Sequence, residues 1–74
     1  MTVFELFNSI GEDNISEIMF AKNMSVPEAE LYCSFELTQY VSSFCTEYEC
    51  HKVINWKIAY IQNNKVCLAL SIEY

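Results

Sequence analysis

Two cysteines and the only histidine of the chain lie within the seven-residue stretch CTEYECH, residues 45–51. Thiolate and imidazole groups are preferred zinc ligands, and a cysteine near a histidine can form a nucleophilic pair. Structural zinc sites, however, use Cys-x2-Cys pairs or histidines four residues apart on a helix, and the spacing here is Cys45-x4-Cys50-His51. On the helix predicted for this segment, Cys50 lies about 140° and His51 about 240° around the axis from Cys45. The three side chains diverge, so the sequence predicts no metal site, no cofactor and no enzyme activity.

The remaining cysteines lie in apolar surroundings. Cys33 and Cys67 both fall in segments with strand character, and a free cysteine behaves as a small hydrophobic residue that is usually buried. We therefore expect Cys33, Cys45 and Cys67 to pack in the core. His51 follows the last turn of the predicted helix, where a cation interacts favourably with the negative end of the helix dipole. This position predicts a structural role for the histidine.

The charge of the chain is lopsided, with ten acidic residues against four lysines, no arginine and a formal net charge of −6. Binding to nucleic acid or to an anionic membrane surface requires clustered lysine or arginine, so both are disfavoured. A net negative field favours basic partners or simply solubility. Hydrophobic residues make up 53% of the 74 residues, more than so small a domain can bury. Part of this apolar surface is therefore expected to be exposed or to lie in an interface.

The N-terminal stretch MTVFELFNSIGEDN lacks the basic and apolar regions of a secretory signal. No apolar stretch of the chain approaches 18 residues, the length of a membrane-spanning helix. We therefore expect a cytoplasmic protein with reduced cysteines and with a single small domain over residues 1–74.

The first 21 residues predict a helix and a strand. Thr2 and Glu5 match a capping box, apolar residues then recur at helical spacing, and Gly11 is a stop signal, which predicts a helix over residues 3–10. The segment ISEIMFA, residues 15–21, lies between two turn-like stretches and is interpreted as a strand.

Residues 26–36 have two interpretations. In EAELYCSFEL, apolar and polar residues alternate over eight positions, which is typical of a half-buried strand. Ser25, Pro27 and Glu28 instead resemble the start of a helix. The strand is favoured because of this alternation. If one straight helix ran from 26 to 50, the apolar residues of this segment would point away from the apolar stripe of the following helix, so a break near 36–38 is required.

The apolar stripe of the following helix begins at Leu37, where the apolar residues change from alternation to helical spacing. This pattern predicts a helix over about 38–50. Its apolar members recur at helical spacing and are Leu37, Tyr40, Val41, Phe44, Cys45 and Tyr48. Two β-rich runs follow and meet at Asn63-Asn64, residues that tolerate the positive φ of a tight hairpin turn. Two hairpin registers are open. A two-residue loop pairs Tyr60 with Cys67 and Ile58 with Ala69, whereas a three-residue loop with a bulge puts Trp56, Ile58 and Tyr60 on the face of Leu68, Leu70 and Ile72.

Together the elements predict an α+β fold in the order α-β-β-α-β-β, with a four-stranded, mostly antiparallel sheet and two helices. In the strand interpretation, one face is shared by Glu28, Glu30, Tyr32, Ser34 and Glu36, with successive side chains about 6.6 Å apart. Such a row resembles spaced phosphates. Glu47 and Glu49 lie near the C-terminal end of the predicted helix, where the helix dipole disfavours negative charge. Tyr32 is the expected contact aromatic, because tyrosine beside acidic residues is typical of protein-binding surfaces, whereas Tyr40 and Tyr48 are expected to edge the core.

At the level of pattern, the opening MTVFELFNSI, the ELYCSF-type strand, the short amphipathic helix and the closing hairpin resemble small acidic proteins encoded by phages and prophages, of the anti-CRISPR or anti-defence type. The resemblance implies a non-enzymatic inhibitor that binds a host defence protein, such as a CRISPR effector, and occupies its nucleic-acid-binding site with carboxylates. The partner-binding residues would be Glu28, Glu30, Tyr32, Glu36, Glu47 and Glu49. The alternative is a small structural or assembly protein that forms a homodimer through its sheet face or through an edge strand at 66–73.

Overall fold

A computed structural model describes residues 1–26 and 36–74. In this part of the chain the helices are α1 (Val3–Ile10) and α2 (Val41–Tyr48), and a short 3-10 turn covers Glu12–Asn14. The strands are β1 (Ile15–Lys22), β2 (Glu36–Thr38), β3 (Val53–Gln62) and β4 (Lys65–Ile72). They form one sheet in the order β2-β1-β4-β3, with β1 and β4 parallel and the two outer pairings antiparallel. The predicted order α-β-β-α-β-β and the mostly antiparallel four-stranded sheet are confirmed.

Helix α1 begins and ends as its sequence predicts. The Glu5 N–H donates to Thr2 Oγ1 at 3.2 Å, and the Thr2 N–H donates to Glu5 Oε1 at 3.1 Å, which completes the capping box. Gly11 ends the helix with a φ of +91°, a backbone conformation that favours glycine, and its N–H donates to Phe7 O. The buried face of α1, formed by Val3, Leu6 and Phe7, then packs on the sheet core.

Strand β4 is an interior strand, and the expectation that residues 66–73 form an edge is wrong. Leu68, Leu70 and Ile72 belong to the core under the helices, while Cys67 and Ala69 alternate with them and are equally buried. A continuous apolar run such as VCLAL is typical of a strand covered on both faces. The edges of the sheet are β2 and β3.

The hairpin between β3 and β4 combines features of both predicted registers. Asn63 and Asn64 have φ values of 54° and 63°, so the turn has two residues with positive φ, as expected. Tyr60 pairs with Cys67, but a register shift at Ala59 then pairs Ile58 with Leu68. A tight turn and a bulge therefore occur together, and the pairing of Ile58 with Ala69 is wrong.

Helix α2 is shorter than predicted, since it begins at Val41 and ends at Tyr48. Val41, Phe44 and Tyr48 are buried as the stripe predicts, and the Phe44 ring packs 4.7 Å from Phe20 and 4.8 Å from Tyr48, centroid to centroid. Leu37 and Tyr40 lie outside the helix and are 60% and 78% exposed, so their assignment to the buried stripe is wrong.

Several residues considered above lie outside the described residues, among them Pro27, Glu28, Glu30, Tyr32 and Cys33. The choice between strand and helix for most of 26–36 also lies outside them. Of the helices that the structure describes, none has the length and apolar character needed to cross a membrane.

Candidate protein-binding face

The Cys-His stretch does not converge on a single point in the structure. Cys45 is partly buried against the core, and Cys50 is exposed. The His51 ring stacks on Tyr74, and His51 Nδ1 lies 3.0 Å from Glu73 O, to which it donates because a carbonyl oxygen only accepts. Within residues 1–26 and 36–74, no three His, Cys, Asp or Glu side chains are grouped so that they could hold a metal ion.

Two thiols are held in the protonated form. Burial raises the pKa of the Cys67 thiol to about 11, and the neighbouring Glu17 carboxylate contributes to the same shift. Burial also raises the pKa of Cys45, with Glu12 and Glu49 adding to the effect. A nucleophilic cysteine requires the opposite shift, so neither environment activates its thiol.

A cleft of about 620 Å³ lies between β2 and α2. Glu36 enters it from β2, because Glu36 pairs with Phe20 and therefore lies on the face of the sheet that carries the helices. Glu47 enters it from α2, one turn beyond Ser43, which also lines the cleft. Phe20, Phe44 and Tyr48 supply aromatic lining between the two carboxylates. The cleft thus has acidic borders and an aromatic interior.

A second depression of about 370 Å³ lies at the beginning of α2. It is lined by Glu12 and Asp13 from the 3-10 turn after α1, and by Lys65 at the start of β4. Tyr40 and Ser43 line both depressions, so the exposed Tyr40 ring stands between the two pairs of carboxylates. Tyr40 is held there because its N–H donates to Thr38 Oγ1 at 3.1 Å and the helix starts only after it.

We name this surface the acidic face and define it by Glu12, Asp13, Glu36, Tyr40 and Glu47. Four carboxylates and one lysine surround a large amphipathic ring. No hydrogen bond or ion pair joins these carboxylates to another residue that the structure describes. A surface of this composition offers charge, contact area and a polar tip to a basic partner.

The structure brings together only part of the set predicted from the sequence. Glu36 and Glu47 share the cleft, whereas Glu49 borders a separate depression with Thr2, Phe4 and Cys50. The other three predicted contact residues, Glu28, Glu30 and Tyr32, lie outside the described residues.

Sequence reasoning missed Tyr40, Glu12 and Asp13. The available signal was the position of Glu12 and Asp13 directly after the glycine stop of α1, where side chains point from a turn into solvent. Tyr40 was assigned to the core because it fits the helical spacing, but the helix starts one residue after it.

Comparisons with protein-family models, with curated proteins and with solved structures found no match to this chain.

Proposed function

We propose that this protein is a non-enzymatic binding domain that docks its acidic face on a basic surface of a partner protein. The best-fitting role is that of a phage-type inhibitor, which occupies the nucleic-acid-binding site of a host defence protein such as a CRISPR effector. Carboxylates would take the places of phosphates, and the protein itself would not contact nucleic acid.

One observation supports this proposal above the others, namely the exposed Tyr40 between two acidic depressions. Large rigid rings provide contact area at low entropic cost, and an excess of carboxylates around them favours encounter with a positive surface. Tyr40 is 78% exposed, so it offers most of its area to a partner.

The test is binding of the purified protein to candidate defence complexes, with guide RNA or DNA as competitor. The double variant Glu36→Gln/Glu47→Gln and the variant Tyr40→Ala are compared with the parent. We expect each to weaken binding at least about tenfold, since hydrogen bonds to charged groups and central aromatic contacts each contribute this much or more. Binding should also weaken as salt concentration rises.

The matched control is Glu49→Gln/Glu73→Gln, which removes the same number of charges from outside the acidic face. It should bind like the parent. Face variants that fold normally and bind as tightly as the parent would contradict the proposal. Binding that ignores both salt and nucleic acid would contradict it as well.

A second candidate function, a structural protein that forms a homodimer, is favoured by the outer edge of β3. Five large apolar side chains of this strand are between 38% and 68% exposed: Ile54, Trp56, Ile58, Tyr60 and Ile61. The start of the edge is covered, because Thr2 forms an antiparallel bridge with Lys52 and the Val53 N–H donates to Met1 O. Beyond Val53, no strand in the described part of the chain pairs with this edge. Open apolar edges of this kind are sites of strand pairing between molecules.

Mass in solution tests the homodimer. If a homodimer forms through β3, the parent protein should have twice the monomer mass in solution, and Ile58→Lys should shift the equilibrium towards the monomer. A parent that is monomeric at high protein concentration excludes this alternative.

A further inference from the structure

The cleft between β2 and α2 has walls of two different kinds. Glu36 and Glu47 come from two separate elements that border it, so a cation inside it meets a carboxylate from each. The lining between them is aromatic, and the Tyr48 ring lies 4.8 Å from Phe44 and 5.8 Å from Phe20, centroid to centroid. The faces of aromatic rings attract cations, most strongly where water is partly excluded.

Tyr48 supplies a second, independent feature that points to a ligand. Its side chain is 7% exposed and lines the cleft, yet none of the described residues forms a hydrogen bond with its hydroxyl. No buried polar side-chain atom of the described residues is sealed from solvent without a partner, so this hydroxyl remains accessible. Water can therefore reach this hydroxyl, and a group bound in the cleft would replace that water as its hydrogen-bond partner.

Lys22, which lies near the Tyr48 ring, does not fill this role. Lys22 Nζ lies 4.1 Å from the Tyr74 ring centroid and 5.9 Å from that of Tyr48. Lys22 is thus placed on Tyr74, and it is absent from the described lining of the cleft.

We infer that the cleft is a receptor for a single arginine side chain of the partner protein. This inference rests on the proposed function and specifies which group of the basic surface is recognised. The guanidinium would lie against the accessible edge of the aromatic lining, donate to the Glu36 and Glu47 carboxylates, and reach the Tyr48 hydroxyl.

Arginine fits this cleft better than lysine does. A guanidinium is planar, presents five N–H donors, stacks on aromatic faces and is weakly hydrated, whereas an ammonium is a compact and strongly hydrated point charge. Two carboxylates on separate elements match a donor group that extends in several directions. Arginine is also a preferred residue of nucleic-acid-binding surfaces, which are the surfaces that the acidic face is proposed to occupy.

The experiment titrates the full chain with a capped Gly-Arg-Gly tripeptide and, separately, with capped Gly-Lys-Gly, while amide shifts are followed by NMR. We expect the arginine peptide to shift signals of residues that line the cleft, such as Glu36, Phe44 and Glu47. The lysine peptide should bind several-fold more weakly. Glu36→Gln/Glu47→Gln should weaken arginine binding at least about tenfold.

Two further variants separate the parts of the receptor. Tyr48→Phe keeps the ring and removes the hydroxyl, so a modest loss of arginine binding is expected with an unchanged fold. Glu49→Gln/Glu73→Gln removes two charges elsewhere and should leave arginine binding unchanged. Equal binding of the two peptides, shifts spread over the whole surface, or an equal loss in both double variants would each overturn the inference.

The outcome is distinguishable from failure of the proposed function. A basic partner that is displaced by nucleic acid and needs Tyr40, while the arginine peptide leaves the cleft signals unchanged, overturns the receptor and keeps the function. A cleft that selects arginine in a protein with no basic partner keeps the receptor and contradicts the function.

Discussion

At the scale of single residues, the cysteines show how burial decides chemistry. Cys50 is exposed, whereas Cys67 is fully buried in the interior strand and burial raises its pKa to about 11. The thiolate is the reactive form, so a raised pKa leaves very little of Cys67 in the reactive form near neutral pH. The chain therefore contains an accessible thiol at Cys50 and an unreactive thiol at Cys67.

We predict that iodoacetamide at about pH 8 modifies Cys50 in the folded protein and leaves Cys67 unmodified. Peptide mapping by mass spectrometry identifies the modified residue. In urea, where the chain is unfolded, Cys67 should react at a rate similar to that of Cys50. Labelling of Cys67 in the folded protein at this pH would show that its strand opens more readily than an interior strand should.

Gly11 is the residue at which backbone conformation is most demanding. Its φ of +91° is rarely adopted by other residues, and an added Cβ would lie 2.7 Å from Asn14 Nδ2. The Asn14 side chain cannot move freely, because it donates to Ile10 O at 2.9 Å and so satisfies the end of α1.

We predict that Gly11→Ala lowers the free energy of unfolding by about 1–3 kcal/mol, through backbone strain and the loss of the Asn14 hydrogen bond. Urea unfolding followed by circular dichroism measures the change. Asn8→Ala, on the exposed side of the same helix, should change stability by less than about 0.5 kcal/mol. Equal effects of both variants would argue against strain at Gly11.

At the scale of elements, α2 carries one carboxylate of the acidic face, Glu47, and violates one electrostatic rule. Glu47 lies in its last turn and no basic residue accompanies it there, so a negative charge faces the negative end of the helix dipole. In α1 the arrangement is the reverse, because Glu5 lies in the first turn and completes the capping box. A residue that is unfavourable for its own helix is a candidate for function.

We predict opposite effects for the same substitution in the two helices. Glu47→Gln should raise the free energy of unfolding by about 0.3 kcal/mol or somewhat more, while Glu5→Gln should lower it by a similar amount. Thermal and urea unfolding of both variants provide the comparison. If both variants are stabilised, relief of the net charge of −6 outweighs the helix dipoles, and the argument for Glu47 as a residue kept for function is lost.

The elements also show what sequence can and cannot predict. Helix α1, the Asn63-Asn64 turn and the buried positions of α2 follow local rules of capping, positive φ and periodicity, and these were predictable. The acidic face was only half predictable, because Glu36 lies on β2, Glu47 on α2 and Glu12 on the turn after α1, and only tertiary packing places these elements at one surface. The order of strands was not predicted, although the unbroken apolar run in β4, against the mixed sequence of β3, was a usable signal.

At the scale of the whole molecule, charge is distributed unevenly over a small body. The acidic face holds four carboxylates with Lys65 beside them, and the segment from Cys50 to Ile72 contains three lysines and no acidic residue. The Cα atoms span 27 × 25 × 17 Å. Since the screening length is about 30 Å at 0.01 M salt, all charges on the molecule interact at low ionic strength.

We predict that the melting temperature of the parent rises between about 0.01 M and 0.15 M sodium chloride, because the screening length falls to about 8 Å and repulsion among the acidic residues is reduced. The rise should be smaller in Glu36→Gln/Glu47→Gln than in Glu49→Gln/Glu73→Gln. Both variants remove two charges, but only the first pair shares one cleft and adjoins the carboxylates of Glu12 and Asp13. Calorimetry of the three proteins at both salt concentrations measures this. Equal salt dependence in the two variants would mean that net charge alone matters, and that the acidic face carries no concentrated field with which to attract a basic partner.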